Sequence, residues 1–134
     1  MLDASARKLI DPPLNALGQN LAARGVTADG VTLAGLGLGL VAALFIAVGW
    51  PFLAVFPLLA SRIADGLDGA VARATQKTDF GGYLDIACDF LFYGAIPFAF
   101  VVMDPSANAV AGAFLLTSFY FNGTSFLGYA ILAE

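Results

Sequence analysis

The sequence predicts an all-α, polytopic integral membrane protein. Of its 134 residues, 60% are hydrophobic and only 12% are charged, whereas soluble domains are typically about 45–50% apolar and about 25% charged. Long stretches have no charge at all, so most side chains are expected to face lipid as well as one another. The chain has no His and a single Cys, Cys88, which excludes a Ser-His-Asp triad, an intramolecular disulfide and a His-rich zinc site. Any chemistry must therefore rest on carboxylates.

The segment before the first long apolar run predicts a helix that lies in the membrane interface. Between residues 4 and 23, apolar residues such as Ile10 alternate with charged residues such as Arg7 and Asp11, a pattern typical of interfacial helices. Pro12-Pro13 interrupts this alternation. The start of the chain lacks the charged-then-apolar pattern of a cleaved signal peptide, so we expect the membrane segments to belong to the mature protein.

Four further segments predict helices that cross the membrane. The first, Val31 to Val48, is an uncharged run of about 18 residues, long enough for a hydrocarbon core of roughly 30 Å at a rise of 1.5 Å per residue. The other three run from about Phe52 to Ala74, from about Phe80 to Val102 and from about Ala107 to Ala133. Asp79 is placed to cap the third of the four. We expect one membrane-embedded domain spanning residues 1–134.

The cations indicate how these helices are oriented. Five of the six lie on one side of the predicted helices: Arg7, Lys8, Arg24, Arg73 and Lys77. Because cationic loops favour the cytoplasmic side, both termini and the 75–78 loop are predicted to be cytoplasmic, at the inner membrane if the protein is bacterial. The sixth cation, Arg62, is interpreted as snorkelling or pairing near the acidic helix ends rather than as a catalytic residue.

Acidic and small residues recur on one face of each of two adjacent predicted helices. The second spanning helix places four of them within about 100° of one another: Asp65, Asp68, Gly69 and Ala72. The third places them at intervals of four residues: Gly81, Asp85 and Asp89. If the two faces meet, they form a cluster of four carboxylates at the cytoplasmic ends of the helices.

Such a cluster predicts a metal site, because like charges repel one another unless a cation lies among them. An all-oxygen set without His or thiolate suits Mg²⁺ or Mn²⁺, which share their coordination with substrate phosphates. The predicted metal ligands are Asp65, Asp68, Asp85 and Asp89. Small residues would let a nucleotide approach the helices, and an arginine would supply a cation for a phosphate or a carboxylate. The predicted substrate-binding residues are Gly69, Ala72, Arg73 and Gly81.

This pattern resembles the signature of the CDP-alcohol phosphotransferases, or CDP-alcohol phosphatidyltransferases, which reads DxxDGxxAR, a spacer, then GxxxDxxxD. Every defined position is filled: Asp65, Asp68, Gly69, Ala72, Arg73, Gly81, Asp85 and Asp89. The spacer between the half-motifs has seven residues, which is one fewer than the usual form. The polar stretch Thr27–Thr32 also looks like the segment that precedes the first helix in this family.

The resemblance implies an enzyme of phospholipid biosynthesis. It would transfer a phosphatidyl group from CDP-diacylglycerol to a small polar alcohol and release CMP, with Asp89 as the catalytic base that accepts the proton of the attacking hydroxyl. The family fold usually has six membrane helices and this chain offers four, so we expect either a C-terminally truncated form or a site completed by a second protomer in a homodimer. The motif leaves the acceptor alcohol open.

Other interpretations stay open at this stage. The acids can be solvated helix ends, the small residues can serve helix packing, and Arg73 can serve topology alone. An aspartate-rich membrane prenyltransferase also uses Mg²⁺ between carboxylates and a diphosphate, but its acidic motifs are spaced differently. A cation transporter would place its carboxylates near the bilayer midplane. A non-catalytic fragment would keep the site without the fold needed to use it.

Overall fold

The computed structural model describes residues 2–132, with side chains described from residue 10 onward, and this part of the chain contains helices and no strands. The helices, in chain order, are α1 Leu2–Ala23, α2 Ala28–Ala47, α3 Pro51–Ala74, α4 Asp79–Met103 and α5 Pro105–Leu132. The all-helical prediction is confirmed, and the helix bounds lie within a few residues of those predicted. The predicted end of the last helix at Ala133, and the side chains of Arg7 and Lys8, lie outside the described residues.

Helix α1 continues through Pro12-Pro13, where the alternation of polar and apolar residues is interrupted. Each proline removes one helical hydrogen bond and leaves a carbonyl free one turn earlier. Both prolines are exposed, where water can satisfy those carbonyls. The second half of α1 is also held against α3, because a Cβ atom at Gly18 would lie 2.7 Å from the Cβ of Ala70.

Three helices in the described range are long and apolar enough to cross a membrane: α2, α4 and α5. Helix α3, which we predicted as a fourth crossing, has 24 residues and is not among these three, because its second half contains several charged residues. It nevertheless runs antiparallel to α2. Thr32 of α2 contacts Asp68 near one end, and Ile46 packs in the core with Ala54 at the other. The acidic half of α3 therefore lies beside the start of α2.

Small residues allow α2, α3 and α4 to pack closely. A Cβ atom at Gly35 would lie 3.1 Å from the Cβ of Ala64 in α3, and one at Gly39 would lie 2.5 Å from the ring of Phe92 in α4. Ser61 is fully buried and donates a 2.7 Å hydrogen bond to the Gly35 carbonyl. Interfaces of small residues are typical of membrane helices, whose backbones can then approach one another.

Helix α5 packs antiparallel on α4. Gly112 faces Val101 near the turn between the two helices, and Gly123 faces the ring of Phe90 further along. Most other side chains of α5 are exposed, including those of Phe114 and other large apolar residues. This apolar surface is what a helix in contact with lipid requires. The fold is therefore that of a polytopic helical membrane protein.

Candidate active site

The two halves of the signature meet where the end of α3 faces the start of α4. A short turn, residues 75–78, joins the two helices. Thr78 closes it as the N-cap of α4, with its side chain accepting a 2.9 Å hydrogen bond from the Gly81 amide. The N-cap of α2 is built in the same way, with Thr27 accepting from the Gly30 amide. Both helices begin at this end of the bundle, because Asp29 of α2 and Gly81 of α4 line the same cavity.

Three carboxylates converge between the two helices. One oxygen from each of Asp65, Asp85 and Asp89 lies within 4.8 Å of the others. We refer to these three residues as the acid cluster. They are neither buried nor fully exposed, so their carboxylates are accessible to an ion. A set of oxygen ligands at this spacing fits a hard divalent cation, which is the class of ion that the sequence predicted.

Asp68, the fourth acid of the signature, lies beside the cluster and not within this group of three. Its side chain is only 7% exposed and accepts a 2.7 Å hydrogen bond from the Thr32 hydroxyl of α2. Asp68 borders both the larger cavity described below and a small cleft that also contains Asp65 and Asp89. The sequence had indicated Thr32 only as the end of a polar stretch. A hydroxyl at the start of an apolar helix does not by itself indicate a hydrogen bond to an acid of another helix.

Arg62 contacts the acid cluster directly. Its Nη1 atom donates a 3.3 Å hydrogen bond to Asp89 Oδ1 and lies 3.6 Å from Asp65 Oδ2. Its guanidinium also lies 3.9 Å from the centroid of the Phe92 ring. The sequence analysis allowed for pairing of Arg62 near the acids but gave it no place in the site. Its spacing of three residues from Asp65 could have indicated a role for Arg62 in the site, because residues three apart lie on one helix face.

A cavity of about 280 Å³ opens beside the acid cluster. Six residues of the signature line it: Asp68, Gly69, Ala72, Arg73, Gly81 and Asp85. Other parts of the wall come from the start of α2, including Asp29, and from the α3–α4 turn, including Lys77. A Cβ atom at Gly69 would have no atom of a neighbouring helix within 4 Å and would meet only the Arg73 side chain. Gly69 therefore faces the cavity and not a neighbouring helix.

Gly81 and Arg73, which we predicted to bind the substrate, each contact another helix at the wall of this cavity. A Cβ atom at Gly81 would lie 3.1 Å from Asp29 Oδ1, so a larger residue would narrow the opening between α2 and α4. Arg73 is held from the outside by α1, because its Nη2 atom donates a 2.9 Å hydrogen bond to Asn15 Oδ1. Sequence reasoning did not find Asn15, and nothing in its local pattern distinguishes it.

An apolar groove of about 270 Å³ lies between α3, α4 and α5. Arg62 borders it, and the other residues of its wall are aliphatic or aromatic or are proline. Arg62 and Phe92 also line the small cleft that contains Asp65, Asp68 and Asp89. The acid cluster therefore lies beside the polar cavity, which Asp85 lines, and Arg62, which contacts the cluster, also borders the apolar groove.

Comparison with known proteins supports the family resemblance that the signature residues indicated. The family model of the CDP-alcohol phosphatidyltransferases matches residues 25–131. The chain is 46% identical to the inner membrane protein YnjF of Escherichia coli over 133 residues, which is 99% of this chain and 65% of that protein. It is 37% identical to archaetidylinositol phosphate synthase of Pyrococcus horikoshii over 93 residues, covering 69% of this chain and 50% of that protein.

An uncharacterised protein of Aquifex aeolicus is likewise 37% identical over 93 residues, covering 68% of this chain and 44% of that protein. The chain thus spans less than two thirds of the length of the curated relatives that it matches. No solved structure matches it. With the family match extending from the loop before α2 almost to the end of α5, and with the signature residues gathered at one end of the bundle, this integral membrane protein belongs to the CDP-alcohol phosphatidyltransferase family.

Proposed function

We propose that this protein transfers a phosphatidyl group from CDP-diacylglycerol to a small polar alcohol and releases CMP, as a step of phospholipid synthesis. The observation that supports this most directly is the acid cluster of α3 and α4 next to the 280 Å³ cavity. Six of the residues that line this cavity belong to the signature shared by the family. A cavity of this size approaches those of known small-molecule sites, which begin at about 300 Å³.

The walls of the cavity suit the diphosphate of a nucleotide. Arg73 and Lys77 line it and supply positive charge for phosphate oxygens. Helices α2 and α4 both begin there, and the positive ends of their dipoles favour a bound anion. At Gly69 and Gly81 the backbone is open to close approach, because neither residue has a side chain. These features together support a donor that carries a diphosphate.

The apolar groove supports a lipid as the other half of the donor. Its wall includes Leu58 and Ile96, which offer the contacts that an acyl chain requires. The groove is bordered by Arg62, which also touches the acid cluster. A donor with its nucleotide in the polar cavity and a chain in this groove would therefore have its phosphates near the acids.

The residues present fit a divalent hard cation. Asp65, Asp85 and Asp89 would hold it, with Asp68 beside them as the fourth acid. Mg²⁺ or Mn²⁺ bound there would neutralise charge on the diphosphate and on the departing CMP. The oxygen-only donor set disfavours softer ions, which select thiolate or imidazole ligands.

We assign the role of general base to Asp89. It lies one helical turn beyond Asp85 and does not line the nucleotide cavity, whereas Asp85 does. In the proposed step, the acceptor oxygen bonds to the lipid-linked phosphorus, the bond from that phosphorus to the CMP oxygen breaks, and the hydroxyl proton passes to Asp89. This direct displacement requires no covalent enzyme intermediate.

We also propose that the active site faces the cytoplasm and that both termini lie on that side. Arg24, Arg73 and Lys77 all lie at the end of the bundle where α2 and α4 begin, and cations favour the cytoplasmic side. A homodimer through the exposed apolar helix faces stays a prediction from the sequence.

The test is CMP release from vesicles that contain the protein, CDP-diacylglycerol, Mg²⁺ and one alcohol at a time. The panel should include glycerol 3-phosphate, serine and inositol phosphate, the last because one relative is named as an archaetidylinositol phosphate synthase. The reverse assay adds CMP and the phospholipid product and measures the formation of CDP-diacylglycerol. Neither a prenyltransferase nor a transporter would catalyse that reversal. If wild-type protein releases no CMP with any acceptor, the proposal fails.

A further inference from the structure

Arg62 is an internal cation at the acid cluster. Among the cations whose side chains the structure describes, it alone lies within 4 Å of a cluster carboxylate. It reaches Asp89 across the α3–α4 interface and Asp65 along its own helix, at 3.3 and 3.6 Å. By contrast, Arg73 is directed to α1 through its bond to Asn15. Arg62 therefore offsets part of the negative charge of the cluster from within the bundle.

The position of the Arg62 guanidinium is set by a stack of residues from three helices. Phe92 of α4 lies under it, and that ring is only 7% exposed. The ring in turn packs on Gly39 of α2, where a Cβ atom would lie 2.5 Å from it. A cation over an aromatic face is attracted by the ring quadrupole. Gly39 thus makes room for Phe92, and Phe92 holds the guanidinium beside Asp89.

The same carboxylates serve Arg62 and would serve a divalent ion. Asp65 and Asp89 are two of the three residues whose oxygens converge within 4.8 Å. An ion bound among them must either displace the guanidinium or remain close to its positive charge, and both cost free energy. The Nε atom of Arg62 is buried without a hydrogen-bond partner in the described part of the chain, so the carboxylates and the ring are what hold the guanidinium.

We propose that Arg62 is a positioning residue that holds the Asp89 carboxylate at the edge of the acid cluster and lowers the affinity of the cluster for a divalent cation. This inference rests on the proposed function, because it assigns a consequence for turnover to the orientation of Asp89. Arg62 does not line the nucleotide cavity. Its effect is therefore expected on metal binding and on turnover, and not on recognition of the nucleotide.

The test compares Mn²⁺ binding to the full chain in detergent, without substrate, by the loss of the free-Mn²⁺ signal in electron paramagnetic resonance. In Arg62→Met, Mn²⁺ should bind about tenfold more tightly or better, because a positive charge next to the ion has been removed. Arg62→Lys should bind Mn²⁺ much as the wild type does. Arg24→Met, which removes an equal charge from the loop before α2, should leave the affinity unchanged.

A second readout separates positioning from a merely structural role. With CDP-diacylglycerol as the donor, Arg62→Met should lower kcat by about tenfold or more while changing the donor KM by less than about threefold, because Asp89 is no longer held. Arg62→Lys should recover part of kcat. Phe92→Leu keeps the arginine but removes the ring under it, so it should tighten Mn²⁺ binding by about threefold. This variant provides the test if Arg62→Met does not fold.

The outcomes distinguish this inference from the proposed function. If a folded Arg62→Met, or in its place Phe92→Leu, binds Mn²⁺ no more tightly than the wild type, the inference is wrong. If Arg62→Met binds Mn²⁺ more tightly but wild-type protein releases no CMP, the effect on metal affinity stands and the proposed function is rejected. If neither the wild type nor a folded Arg62→Met binds Mn²⁺ measurably, the inference is wrong.

Discussion

The Asp68 carboxylate of α3 accepts a 2.7 Å hydrogen bond from the Thr32 hydroxyl of α2, and both residues are at least nine-tenths buried. This bond fixes one acid of the signature to a helix outside the signature. It also gives Asp68 an environment different from that of the three acids of the cluster, whose carboxylates are more exposed.

We expect Thr32→Val to destabilise the protein and weaken donor binding. The substitution keeps the shape of the side chain but leaves the buried Asp68 carboxylate without its partner, which typically costs about 1–3 kcal/mol. Thermal unfolding of the purified protein checks stability, and the donor KM checks the site. Thr32→Ser retains the hydroxyl and should stay close to the wild type. A Thr32→Val variant as stable as Thr32→Ser would show that the bond contributes little.

Asp65→Asn and Asp85→Asn should each abolish activity and reduce Mn²⁺ binding, because each removes a charged oxygen from the acid cluster. The matched control is Asp79→Asn, since Asp79 is an exposed acid in the first turn of α4 outside the cluster. Direct Mn²⁺ titration and CMP release measure the two effects. Full activity in either cluster variant would reject that residue as a ligand.

Asp89→Asn distinguishes a general base from a metal ligand. As a base, Asp89 should contribute about 10²–10⁴-fold to turnover, so the variant should lose that factor while CDP-diacylglycerol affinity stays nearly unchanged. Its place among the three converging carboxylates makes the binding measurement essential. If Mg²⁺-dependent donor affinity falls in parallel with turnover, Asp89 acts chiefly as a ligand.

Gly69→Leu should raise the donor KM by about tenfold or more, because the added side chain enters the 280 Å³ cavity. The helices should still pack, since no neighbouring helix lies within 4 Å of the new Cβ position. Gly37→Leu is the control, because Gly37 lies on an exposed face of α2 with nothing within 4 Å. Undiminished donor binding in Gly69→Leu would contradict the proposed role of Gly69.

Asp104 should stabilise the start of α5 in a pH-dependent manner. Its Oδ1 atom accepts hydrogen bonds from the Ser106 hydroxyl and the Ala107 amide, at 2.6 and 3.1 Å, and these bonds lower the pKa of Asp104. A lowered folded-state pKa gives stability that is fully present above the ordinary Asp pKa of about 3.9 and is lost as the pH falls through the folded-state value.

Asp104→Ala should therefore lower the unfolding temperature at pH 7 by more than it does in strong acid. Asp104→Asn keeps an N-cap acceptor without the charge, so it should retain most of the stability at pH 7 and lose the pH-dependent part. Equal unfolding temperatures of Asp104→Ala and the wild type at pH 7 would exclude the cap as a stabilising feature.

The proposed orientation is tested by cysteine labelling of intact cells in a Cys88→Ala background. A cysteine at Thr78, beside the active site, should not react with an impermeant reagent added outside. A cysteine at Ser106, in the turn at the other end of α4, should react. The reverse pattern would overturn the assignment of the active site to the cytoplasm.

The local sequence determined which segments are helical and which acids share a face. Uncharged runs such as Val31–Val48 are long enough to cross the bilayer core, and the spacing of three or four residues from Asp65 and from Gly81 matches the turn of a helix. Both properties depend only on residues that are near in sequence, so they can be read without knowing how the helices pack.

Only the tertiary structure decided which residues meet across helices. Arg62 contacts Asp89 and Thr32 donates a hydrogen bond to Asp68. Gly69 faces a cavity, whereas Gly39 faces the ring of Phe92. These contacts depend on how each helix is rotated about its axis and on which neighbour it packs against. That arrangement is set by many small contacts distributed along three helices. The periodicity of a single helix does not determine it.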